Sequence, residues 1–368
     1  MPNNYILIDG SYYIFYRYYA LNVWLGHQGA IPSVSLALAV GALEAMPPVE
    51  LVNDEKSSTN PSYVNLPRPQ AQVKQTELLE KFKSTFVSKI NEIDKKLKLK
   101  NTIKYVGKDC RRSEIWRTAL YPEYKGTRIT NNDFLGAELF KLAYGGSAPI
   151  PPVDANTTDG IADINNGGSA TNPPVGTNPT NILYGDDVTI PPTASGIADT
   201  IPPTASGIAD ALFEKAGVKQ ILSYPSLEAD DCIALTAKHL YRVEPDAHIW
   251  IIASDMDYLQ ITNDRIHLYD LKFKNICEKS SGNPLQDLFC KIVAGDKSDN
   301  IPPVFKKCGI KTAQKYFKDK ELFEKKLAAD KTAQEIYKLN TTLVDFNSIP
   351  NELVEGFTDE FLLNICKN

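Results

Sequence analysis

Tyr5-Ile6-Leu7-Ile8-Asp9-Gly10-Ser11 and His248-Ile249-Trp250-Ile251-Ile252-Ala253-Ser254-Asp255-Met256-Asp257 are the two stretches that decide the fold. Each is a short, β-prone apolar run that stops at a turn carrying carboxylates, the pattern of a buried strand whose carboxyl end faces a ligand. Ile103-Lys104-Tyr105-Val106, brief and interrupted by Lys104, repeats the pattern ahead of Asp109. Asp255 and Asp257, at i and i+2 of extended chain, would point the same way.

Working outward, Glu228-Ala229-Asp230-Asp231-Cys232-Ile233-Ala234-Leu235 reads as a helix start with Glu228 and Asp231 on one face. Gly295-Asp296-Lys297-Ser298-Asp299-Asn300-Ile301-Pro302-Pro303 places Asp296 and Asp299 three apart before a proline-forced turn. Nine carboxylates thus fall into five clusters: Asp9; Asp109; Glu228, Asp230 and Asp231; Asp255 and Asp257; Asp296 and Asp299. Any one cluster alone also fits a helix's first turn or an ordinary turn former. All five together point to one acidic pocket. Two unit charges about 4 Å apart repel by roughly 4 kcal/mol at an effective dielectric of 20, so such a pocket calls for divalent cations, and more than one.

The ordered set Ile8-Asp9-Gly10-Ser11, Asp109 with Ile115-Trp116-Arg117, Tyr124-Lys125-Gly126-Thr127-Arg128, Glu228-Ala229-Asp230-Asp231, Ser254-Asp255-Met256-Asp257 and Gly295-Asp296-Lys297-Ser298-Asp299-Asn300 resembles the 5′ nuclease superfamily. That group includes flap endonucleases, bacteriophage 5′ exonucleases and the 5′ nuclease domain of bacterial family A DNA polymerases. The likeness covers roughly residues 1–30 and 100–345, apart from one insertion. It implies one α/β domain over 1–368 with a mostly parallel central sheet flanked by helices, the PIN-like or 5′ nuclease fold. It also implies a helical arch and, at about 290–345, a helix-turn-helix element that grips duplex DNA.

The chemistry implied is hydrolysis of DNA phosphodiester bonds near 5′ ends, flaps or junctions by two Mg²⁺ ions, with Mn²⁺ able to substitute, in replication or repair. Asp9, Asp109, Glu228, Asp230 and Asp231 would be inner ligands; Asp255, Asp257, Asp296 and Asp299 would complete a second site, some through water. Lys125 and Arg128 match the family's catalytic basic pair at the base of the arch, where they stabilise charge on the scissile phosphate. Arg117 and Tyr124, set among Arg111, Arg112, Trp116 and Tyr121, have the mixture of cations and rings that suits DNA contact. In the helix-turn-helix element Lys306, Lys307, Gly309, Lys311 and Thr312 would meet the phosphate backbone. Relatives often bind K⁺ there, but Lys306, Lys307 and Cys308 replace a more glycine-rich turn. A PIN-type ribonuclease acting on RNA and a non-catalytic DNA-binding homologue are the alternatives, and an RNA–DNA hybrid is a further possible substrate.

The chain has 40 Lys plus Arg against 45 Asp plus Glu, a net charge of −5 that by itself argues against a nucleic-acid partner. Residues 145–210 change the sign, since they hold seven Asp and no Lys or Arg, leaving +2 elsewhere. Setting aside the nine candidate ligands leaves +11, an excess that suits a phosphate backbone. The same stretch contains Thr189-Ile190-Pro191-Pro192-Thr193-Ala194-Ser195-Gly196-Ile197-Ala198-Asp199 repeated perfectly as 200–210. Rich in Pro, Gly, Thr and Asp, it reads as a low-complexity insertion unable to bury a core, a β-roll being the rival reading. It separates helical spacing at 133–144 from helical spacing at 211–217; a second polar insertion spans 46–72. The six Cys show no Cys-x-x-Cys spacing, which suits reduced thiols and not zinc. With no apolar run of membrane-spanning length and no leader, the expectation is a soluble intracellular monomer, with no membrane partner and no evident sliding-clamp peptide.

Overall fold

The computed structural model describes residues 3–27, 68–126, 129–130, 152–153 and 208–365. In chain order the elements are β1 (Asn4–Asp9), α1 (Gly10–His27), α2 (Arg68–Lys96), β2 (Thr102–Gly107), α3 (Trp116–Leu120), β3 (Ile129–Thr130), β4 (Pro152–Val153), α4 (Ile208–Lys215) and β5 (Val218–Leu222). There follow α5 (Ala229–Val243), β6 (His248–Ile252), β7 (Ile266–Tyr269), α6 (Pro284–Ala294), α7 (Ile310–Lys318), α8 (Lys320–Ala328), α9 (Lys331–Val344) and α10 (Asn351–Glu360).

The central sheet has the order β5-β2-β1-β6-β7, and every neighbouring pair is parallel. Its strands are apolar on both faces because helices cover both. Along β1, Ile6 and Ile8 join a core with Tyr13, Phe86 and Phe213 from α1, α2 and α4, while Tyr5 and Leu7 join one with Ile233 and Leu240 of α5 and Phe357 of α10. The short run at 102–107 is a full member of this sheet, Lys104 being accommodated by a 2.6 Å ion pair with Asp94.

From β1 the chain moves to β2 and β5 on one side, then crosses to β6 and β7 on the other. The strand order therefore reverses beside β1, and parallel α/β sheets open a crevice at the carboxyl ends of the strands there. Asp9 ends β1, Asp109 follows β2, and Asp255 follows β6, so topology alone brings three of the five clusters to that crevice.

Close backbone approach makes the crevice narrow. A Cβ at Gly107 would lie 2.7 Å from the Ala229 carbonyl, so only glycine lets the start of α5 press against the end of β2. Glu228 caps α5 through a reciprocal box with Asp231. Helix α6 starts at an Asn283 cap with Pro284 in its first turn and stops at Gly295, whose φ is 70°.

Helices α6 to α9 form a smaller layer around Val293, Phe305, Tyr316 and Phe323. Ile292, Ile301 and Val344 continue it onto Ile115 and Tyr124 beside the sheet. No helix among the described residues is long and apolar enough to cross a membrane. Both insertions end earlier than the composition suggests: residues 68–72 already belong to α2 and residues 208–210 to α4. The arch helix expected at 133–144 and the repeats up to 207 lie outside the described residues, apart from the two-residue β3–β4 ladder.

Candidate metal and nucleic-acid site

All nine carboxylates belong to one electrostatic cluster. Asp9 feels Asp109 and Asp255; Asp109 feels Glu228; Asp230 feels Glu228 and Asp231; Asp255 and Asp257 feel Asp296 and Asp299. One oxygen each from Glu228, Asp230 and Asp231 lies within 4.8 Å of the others, a separation that a single cation can bridge.

Burial and the neighbouring Asp109 charge push Asp9 up to about 7, and burial with the other acids likewise pushes Asp257 up to about 7. Asp109, Asp230 and Asp255 are raised as well, burial being the largest cause in each. Carboxylates so placed gain from a multivalent cation, and hard oxygen donors are what Mg²⁺ prefers. The residues present therefore fit a divalent-metal site.

Each acid is aimed by a specific partner. Asp9 accepts from the Tyr12 amide at 2.8 Å, and Asp109 accepts from the Ala229 amide at 2.8 Å and the Ser11 hydroxyl at 2.5 Å. Asp255 caps a 3-10 helix over Met256–Ile261, its Oδ1 accepting from the Asp257 amide at 2.8 Å. Asp257 thus sits in a helical turn and not in the extended chain the spacing suggested. Asp296 pairs by backbone with Ile301, closing the loop that carries Asp299.

From the segment 111–125, Trp116, Arg117, Tyr124 and Lys125 reach into the acidic cluster. Lys125 is 2 % exposed, with Nζ 2.5 Å from Glu228 Oε1, its amide donating to the Asp299 carbonyl at 2.9 Å and its own carbonyl accepting from Arg112 at 2.6 Å. Its φ of 56° is left-handed, a strain of roughly 1–2 kcal/mol for a residue with a Cβ. The hydrogen bonds to Asp299 and Arg112 hold that conformation. Arg128 lies outside the described residues.

Two expected DNA contacts are corrected. Arg117 is 2 % exposed and spends its guanidinium on Asp231 at 2.7 and 2.8 Å, on Glu228 at 3.0 Å and on the Leu343 carbonyl at 2.8 Å. Tyr124 is buried, its hydroxyl donating to Glu228 at 3.2 Å. Both brace acids from within and present nothing to a strand outside. Asp231 is braced in the same way, both its oxygens accepting from Arg117 and one also from the Trp116 indole at 3.0 Å, while it still offers an oxygen to the group it forms with Glu228 and Asp230.

Lys291 was not singled out in the sequence. From α6 its Nζ stands 2.5 Å from Asp257 and also pairs with Asp296, which it holds below the usual carboxylate range against the upward push of burial. Its spacing of five from Asp296 was a usable signal, but it reads like any surface lysine of an amphipathic helix. Ser11, whose hydroxyl orients Asp109, was visible only as a turn former.

At the helix-turn-helix element, Lys306, Lys307 and Lys311 are exposed, and Gly309 caps α7. A Cβ at Gly309 would meet nothing within 4 Å, so the fold itself does not demand glycine there.

No family model matches the chain. Over 104 residues it is 36% identical to the thermostable DNA polymerase I of Thermus thermophilus, a stretch covering 27% of this chain and 12% of that protein. Over 109 residues it is 34% identical to a 5′-3′ exonuclease of Buchnera aphidicola, covering 28% of this chain and 36% of that one. The chain thus matches about a third or less of the length of these curated relatives. Its fold is similar to that of a bacteriophage T5 flap endonuclease solved with DNA and metal ions, over 100% of both chains, with a TM-score of 0.52 at 15% identity. It is also similar to the bacteriophage T5 5′-exonuclease with bound zinc, over 98% of this chain and 99% of that one, with a TM-score of 0.51 at 15% identity. Sequence shared with a 5′-3′ exonuclease and a DNA polymerase I, on a fold shared with a flap endonuclease, supports the 5′ nuclease superfamily as the family of this chain.

Proposed function

We propose that this protein is a metal-dependent 5′ nuclease that hydrolyses DNA phosphodiester bonds near 5′ ends, at flaps or junctions. The observation that carries the reading is the set of nine mutually repelling carboxylates gathered at the point where the parallel sheet reverses its strand order. The relatives named for 5′-3′ exonuclease and flap endonuclease activity support it.

Asp9, Asp109, Glu228, Asp230 and Asp231 would hold one divalent ion, Mg²⁺ by their all-oxygen chemistry; Asp255, Asp257, Asp296 and Asp299 would hold the second, directly or through water. Bound ions of this kind supply positive charge to the scissile phosphate and lower the pKa of water. The chain's own residues do the rest. Arg117 and Asp231 lock Glu228 in place, Ser11 and the Ala229 amide orient Asp109, and Lys125, its ammonium among the ligands against Glu228, would meet charge developing on a phosphate drawn into the site by the ions. Lys306, Lys307, Lys311 and the start of α7 would hold the duplex backbone.

Single-turnover cleavage of an end-labelled 5′ flap DNA, with Mg²⁺ or with EDTA and beside an RNA flap of the same sequence, tests the reading. Metal-dependent release of the DNA flap is the expected result. Preferential cutting of the RNA version would make it a PIN-type ribonuclease, and binding without cleavage would make it a non-catalytic homologue.

A further inference from the structure

A cavity of about 430 Å³ is lined by residues of α1 and α2 together with Leu271 and Phe273. Its walls are two helical stripes. On α2, Lys81, Lys89, Glu92 and Lys96 follow one another at helical spacing. On α1, Tyr13, Tyr16 and Arg17 do the same.

The lining carries four cations and one carboxylate, a net charge of +3, although the chain as a whole carries −5. Lys89 and Glu92 pair at 2.7 Å, and the three lysines are exposed at the rim. Arg17 is 7 % exposed, so its charge sits inside the cavity wall and not on the surface. Tyr13 is fully buried, its hydroxyl donating to the Phe86 carbonyl at 2.5 Å, so the aromatic surface at the cavity comes from Tyr16 and Phe273, partly buried rings at the edge of the core. A volume of this size suits a small organic ligand, cations along one wall suit phosphate, and aromatic surface on the other suits a planar base.

We propose that this cavity is a second binding site, for a nucleotide bearing phosphate, either as a free 5′-mononucleotide or as part of a single strand. It is separate from the acidic pocket and does not require it to be catalytic. Arg17 stands seven residues after Gly10, where α1 begins beside Asp9, about 10 Å of rise, so an occupant would be near the crevice without entering it.

The test is equilibrium binding of fluorescent thymidine 5′-monophosphate and tetrathymidylate to the full chain in EDTA, with inorganic phosphate as competitor. The double variant Lys81→Glu, Lys89→Glu changes exposed side chains and turns the lining net negative. It should weaken binding tenfold or more while leaving Tm unchanged. Binding of both probes assigns a free nucleotide, and binding of the tetranucleotide alone assigns a strand. The proposal is overturned if neither probe binds, if the double variant binds like the wild type, or if inorganic phosphate competes as well as the nucleotide. Flap cleavage with Mg²⁺ is scored separately on the same preparations. Loss of cavity binding with cleavage intact removes only this proposal, and absent cleavage with cavity binding intact removes only the nuclease reading.

Discussion

The ammonium of Lys291 stands 2.5 Å from Asp257, and the same nitrogen pairs with Asp296. A helix outside the central sheet thereby supplies the positive charge that half of the acidic cluster needs. Lys291→Met should destabilise the metal-free protein at neutral pH by roughly 1–3 kcal/mol, less than a fully buried pair because the site is partly open to water. Urea denaturation in EDTA measures it, and saturating Mg²⁺ should recover part of the loss.

The raised carboxylates give a pH dependence of definite sign. Asp9 and Asp257 titrate at about 7 in the fold against 3.8 ordinarily, so the folded state binds their protons more tightly than the unfolded chain. Their favourable contribution is complete below the unfolded value and is lost as pH rises through about 7. In EDTA the Tm should therefore be higher near about pH 5.5 than near about pH 8, and added Mg²⁺ should raise it more at the higher pH. Thermal scans at both pH values check this, and equal Mg²⁺ shifts would remove the acids from the metal site.

Asp255→Asn should abolish cleavage while preserving or strengthening DNA binding, because it removes one ligand and one charge that repels phosphate. Gel-shift affinity and single-turnover rate on the same flap separate the two effects. Full turnover in Mg²⁺ would sink the assignment.

Lys125→Ala should lower the single-turnover rate by roughly 10²-fold or more with a much smaller change in affinity, as expected for a group that meets developing charge. If affinity collapses and the bound rate holds, Lys125 is a clamp. Because Lys125 is buried against Glu228, its Tm should be compared in the same experiment.

Replacing residues 145–207 with a short Gly-Ser linker should leave stability nearly unchanged, since loop closure costs only about 0.6 kcal/mol per doubling of length. Extending the replacement through Asp210 should cost about 1–2 kcal/mol more, because Ala209 is 1 % exposed and Asp210 pairs with Lys108 at 2.8 Å. Paired denaturation curves decide it, and equal curves would show that the anchor contributes nothing.

The strand-end acids were legible because short continuous apolar runs ending in Asp-Gly or Ser-Asp carry both the element and its polarity in adjacent residues. The helix start at Glu228, with Asp231 on the same face, was legible for the same local reason, while the reciprocal cap between the two emerged only in the fold. What stayed hidden depends on separations that no local pattern encodes. Arg117 reads as a surface cation until Leu343, 226 residues later, supplies the carbonyl that turns it inward. Lys291 acquires its role only when α6 packs beside the turn carrying Asp257. The insertion boundary was misplaced because Ile208-Ala209-Asp210 belongs to the repeat by sequence and to α4 by packing.

That double membership has a consequence for how the chain can change. Both perfect copies end in Gly-Ile-Ala-Asp, and the trailing copy supplies the buried alanine and the carboxylate that Lys108 holds, one residue before Asp109. Removing or adding one eleven-residue unit by slippage during copying regenerates the same tetrapeptide at the junction with Ala211. The excursion can therefore drift in length from generation to generation while its moored end, and the carboxylate beside the mooring, keep their place.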